Sequence, residues 1–67
     1  MQNIYNIGDI WMWTKNSAEH PNDPDYNYFM ITDNEFGYRV VYIKDGACKW
    51  YTKSSLEANE KNLVFIA

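Results

Sequence analysis

Apolar residues along this chain fall in short clusters that lack helical spacing, and turn-forming residues close each cluster off. Ile7 to Thr14 is rich in β-forming aromatics. A polar stretch from Asn16 to Asp25 follows, holding Pro21 and Pro24 together with Ser17, Asn22 and Asp23, and it reads as a long surface loop. Tyr26 to Thr32 is an aromatic and aliphatic run of strand length, ended by the turn Asp33-Asn34-Glu35-Phe36-Gly37, where Asn34 or Gly37 is able to take positive φ. Tyr38 to Ile43 and Cys48 to Thr52 flank Asp45-Gly46, a strong hairpin signal. Ser54 to Glu57 predicts a short helical turn capped by Ser54, and Leu63 to Ile66 predicts a last strand. The pattern therefore gives an all-β fold of five strands, with a long first loop and a helical turn before the fifth.

The hairpin can be registered from the sequence. With Asp45 and Gly46 as its two central residues, Ile43 faces Cys48 and Val41 faces Trp50 on one fully apolar side. Tyr42 with Lys49 and Val40 with Tyr51 occupy the other. The first side is the expected core, which buries Cys48, and the second is the expected wetter face. In the opening strand Trp11 and Trp13 share one side while Ile10 and Met12 share the other. A core this small cannot cover both sides. Either the sheet wraps round one set or that set is exposed.

The 67 residues allow one core, so the expectation is a single domain over 1–67; with Met1 at its start, it reads as a whole small protein. Cys48 is the only cysteine, which excludes an intramolecular disulfide and a Cys-based zinc site. Bulky rings must compensate, and at 18% of the chain the aromatics exceed what a minimal core needs. No apolar run approaches the roughly 20 residues of a membrane span and no signal segment precedes the domain, so the cytoplasm is the expected location. A formal net charge of −3 argues against general attraction to phosphate backbones.

The order of elements resembles the small Src-homology-3-like barrels. The resemblance runs through the Gly8-Asp9-Ile10-Trp11 opening, the long first loop, the central meander from Tyr28 to Thr52, the helical turn and the last strand. More narrowly, Gly8, Asp9 and Trp11, the Tyr28, Ile31, Thr32 strand, and the Tyr51, Thr52, Ser54 step are similar to short barrel proteins encoded by bacteriophages. The resemblance implies an intracellular five-stranded barrel that binds protein or nucleic acid. A phage setting would make a host protein, a defence or transcription component, the partner. No activity follows from it, because fold does not fix function.

No catalytic constellation emerges. Asp23, Asp25 and Asn27 begin like a calcium loop, but Tyr28 stands where that loop needs Gly and Asn34 where it needs a bidentate Glu. His20 with Glu19 and Asp23 falls short of a tight metal site, and Cys48 on a core face does not suit a nucleophile paired with His20. Neither cofactor nor metal is expected. The leading expectation is a non-catalytic protein-binding module. Its anchors are Trp11, Trp13, Tyr42 and Tyr51, and Glu19, Asp23 and Asp25 complement a basic partner. The alternative is single-stranded nucleic acid or RNA on a hairpin face, with Arg39, Lys44, Lys49 and Lys53 beside Tyr42 and Tyr51. Self-association through strand edges is a third expectation.

Overall fold

The computed structural model describes residues 5–14 and 24–67. Glu19, His20 and Asp23, with most of the predicted long loop, lie outside the described residues. The strands are β1 (Ile10–Trp13), β2 (Tyr28–Asp33), β3 (Tyr38–Tyr42), β4 (Cys48–Tyr51) and β5 (Leu63–Phe65). They form one antiparallel sheet in the order β4-β3-β2-β1-β5, with β2 at its centre and β4 and β5 at its edges. A 3-10 turn, Pro24–Asn27, leads into β2, and another, Glu60–Asn62, leads into β5. All the predicted strands form, each a little shorter than its apolar cluster.

Period-two alternation sorts each strand into an inner and an outer side. Trp11, Phe29, Ile31, Tyr38, Val40 and Leu63 point inward and join Tyr5 and Leu56 in the core. Fully covering an aliphatic or Phe side chain contributes roughly 1.5–3 kcal/mol, so Phe29, Ile31, Val40 and Leu56 carry much of the stability. Helix α1 (Lys53–Ala58) delivers Leu56 to that core. Its N-cap is Thr52, not Ser54: Thr52 is extended, at φ −66° and ψ 153°, and its hydroxyl accepts a hydrogen bond from the Ser55 amide at 3.1 Å. The cap falls two residues earlier because β4 ends at Tyr51 and Thr52 is the first hydroxyl beyond it.

The hairpin differs from its sequence reading in two ways. Its loop is longer, running from Ile43 to Ala47. Gly46, at φ 74°, donates to the Tyr42 carbonyl at 2.8 Å, and Asp45 Oδ1 accepts from the Ala47 amide at 3.0 Å. Val41, not Ile43, consequently stands opposite Cys48, and Arg39 stands opposite Trp50. The sides are also exchanged. Val40 and Tyr38 are buried, whereas Ile43, Cys48 and Trp50 are exposed. Tyr42 and Tyr51 can face this side because their rings fill volume while their hydroxyls bond each other at the rim. In the β2–β3 turn neither Asn34 nor Gly37 has positive φ. Asp33 Oδ1 accepts from the Glu35 amide at 3.1 Å, and the Asn34 side chain donates to the Tyr5 carbonyl at 3.2 Å.

Candidate interaction surfaces

On the inner side, toward the end of the sheet where β1 meets β3 and β4 across β2, the structure gathers three of the expected anchors. Trp13 Nε1 donates to the Tyr42 hydroxyl at 2.8 Å, and the Tyr42 and Tyr51 hydroxyls share a hydrogen bond at 2.7 Å. Phe29 supplies the floor, with ring centroids 6.1 Å from Trp13, 5.5 Å from Tyr42 and 6.5 Å from Tyr51. Each of these three anchors is half-buried against the core. Trp11 is separated from them. It is buried, with its ring 4.6 Å from that of Tyr5, and presents no surface for a partner. The geometry of the cluster is that of a knot tying β1, β3 and β4 together, with each ring packed against the core and only partly exposed.

The four basic residues do not share a face. Arg39 lies on the outer side of β3 and Lys49 on the inner side of β4, while Lys44 sits in the hairpin loop and Lys53 opens α1. Lys44, Lys49 and Lys53 each stand over a tyrosine of this chain, at 5.8 Å from the Tyr26 ring, 5.6 Å from Tyr42 and 5.9 Å from Tyr38. Asp25 is exposed and pairs with Lys44 at 3.8 Å. Among the described residues no group of three or more His, Cys, Asp or Glu is placed to hold a metal ion. No helix among them is long and apolar enough to cross a membrane.

The outer side of the sheet is the surface that sequence reasoning missed. Register builds it into two cross-strand rows. Ile66 lies beside Ile10, Ile10 opposes Met30, Met30 opposes Val41 and Val41 opposes Cys48. Val64 opposes Met12, Met12 opposes Tyr28, and the Ile43 amide donates to the Tyr28 carbonyl at 3.0 Å. Not one of these nine side chains is charged or buried, and Ile43, Val64 and Ile66 are 53%, 42% and 45% exposed. Trp50, 54% exposed, flanks the first row beside Arg39. Comparisons with protein-family models, curated proteins and solved structures give no match to this chain. Its own geometry must carry the functional reading.

The signal for this face lay in the alternate positions Ile10, Met12, Met30, Val41 and Ile43, which are as apolar as those on the inner side. Sheets with one solvated face normally alternate apolar with polar residues. Here Ile10, Met12, Met30, Val41 and Ile43 hold positions where polar residues are usual, so the outer side is apolar although it is solvated.

Proposed function

We propose that the protein is a non-catalytic protein-binding module that docks through the outer face of its sheet. One observation carries the reading: two apolar rows cross the sheet, one from β5 to β4 and the other from β5 through β2 to Ile43, just beyond β3. Five strands at about 4.8 Å spacing and two rows of side chains make a face of roughly 300 Å² in plan. Contiguous apolar surface of about 300–600 Å² on a small monomer is often a functional contact. The half-exposed Trp50 and the central Met30 are of the types enriched at interface hot spots and adaptable binding surfaces.

A Src-homology-3-like barrel is supported by the β2-β3-β4 meander, by α1 ahead of the last strand and by the pairing of β5 with β1. From the resemblance to phage barrels, the hetero-partner is a host protein. The test is a pair of columns, wild type and a folded Met30→Lys variant, loaded with the same nuclease-treated bacterial lysate. A protein held by the wild type and lost from the variant is the expected result, since removing a true anchor weakens binding by about 2 kcal/mol or more. Equal retention on both columns refutes docking at this face.

A further inference from the structure

We infer that, in the free protein, a second copy of this chain covers the outer face, in a two-fold, sheet-on-sheet homodimer. The inference rests on the reading of that face as a docking surface and names its first occupant. Charge and symmetry favour a second copy, and area sets how tightly it binds.

The first is charge. Neither row holds an ionised side chain, and each end of the face is bordered by one residue of each sign. Arg39 stands opposite Asp33 at one end, and Lys44 pairs with Asp25 at 3.8 Å near the other. A partner that is strongly acidic or basic gains nothing from such a face. A surface with a neutral centre and both signs at its margin is complementary to itself.

The second feature is symmetry. A face-to-face dimer needs one patch that meets its own copy about a two-fold axis. The first row is centred on Met30, in the middle strand, with Ile10 and Ile66 on one side and Val41 and Cys48 on the other. An axis beside Met30 stacks the two sheets about 10 Å apart, the spacing at which facing side chains interdigitate.

Area bears on affinity. Roughly 300 Å² in plan per copy is less than the about 800 Å² per partner of a standard stable complex, so the dimer belongs to the weak, exchanging class. A hetero-partner binding the same rows must displace the second copy.

Analytical ultracentrifugation of the full chain, over roughly 10 µM to 1 mM, tests the inference on the scale of weak complexes. The mass average is expected to climb toward twice the monomer at the upper end. Met30→Lys at the centre and Val64→Lys at the rim should each lower the association constant, the former by at least about tenfold. Far-UV circular dichroism confirms that the variants are folded. A wild type that stays monomeric throughout overturns the inference. Association that both lysine variants leave intact overturns it equally, by placing the contact elsewhere. The docking reading fails separately, when the lysate columns retain the same proteins with and without Met30.

Discussion

The indole of Trp50 packs against Gly37, so close that a Cβ on residue 37 would stand 2.5 Å from Trp50 Cζ2. Gly37 has no positive φ to protect, so the glycine is required by the approach of the ring and not by its own conformation. The contact seals the end of the β3–β4 pair, next to the Arg39–Trp50 register position.

Gly37→Ala should therefore destabilise the protein by about 1–3 kcal/mol through overpacking. In a Trp50→Ala background the same change should cost much less, because the ring it collides with is gone. Urea unfolding of the two single variants and the double variant measures the coupling. Additive losses would show that Trp50 does not rest on Gly37.

Two tyrosines offer a contrast in what a hydroxyl contributes. The Tyr5 hydroxyl and Trp11 Nε1 are buried without a hydrogen-bond partner among the described residues, whereas the Tyr42 hydroxyl bonds both Trp13 and Tyr51. Tyr5→Phe should leave stability unchanged or raise it slightly, since the oxygen it removes was desolvated for nothing in return. Tyr42→Phe should cost on the order of 1–3 kcal/mol, leaving the Trp13 N–H short of its acceptor. Equal losses for the two variants, in the same unfolding assay, would contradict the assignment.

Alkali should weaken the fold. Burial first, then the charges of Glu60, Tyr38 and Glu57, hold the Tyr5 phenol above its ordinary value of 10.0, and burial followed by Glu57 does the same for Tyr38. The folded state therefore keeps phenolic protons that the unfolded chain releases. This contribution is fully present below about pH 10 and is lost as pH rises through the raised folded-state values. Urea midpoints from about pH 8 to about pH 11 should be level and then fall, and Tyr5→Phe should shallow the fall.

The N-cap supplies the last prediction. Thr52→Ala removes the acceptor of the Ser55 amide and should cost about 0.5–2 kcal/mol, while Ser54→Ala, inside the first turn, should be nearly neutral. The reverse ranking would move the start of α1 to the residue that the sequence motif alone suggests.

The strands were legible in the sequence because each is a compact apolar cluster between turn residues, and Asp45-Gly46 did mark the hairpin. What the sequence did not reveal was which side of each strand is covered. Val41, Ile43, Cys48 and Trp50 are more apolar than Val40, Tyr42, Lys49 and Tyr51, so hydropathy ranks the outer side as the core. The ranking fails because Phe29 and Leu56 occupy the covered side and the Tyr42 and Tyr51 hydroxyls satisfy each other there. It fails also because Asp45 caps a longer loop than its dipeptide signal implies. The candidate surface was hidden for the same reason: Ile10, Met30 and Val41 are far apart in sequence, and only register makes them a row.

The three indoles sit at three depths: Trp11 in the interior, Trp13 at the rim and Trp50 on the outer surface. Each should emit differently, because water relaxes around an excited indole only where it can reach the ring. A soluble quencher will then read Trp50 first, and anything that settles on the apolar rows will shield it while the emission of Trp11 stays constant. The chain thus reports the state of its own surface by light alone, without a dye or a tag.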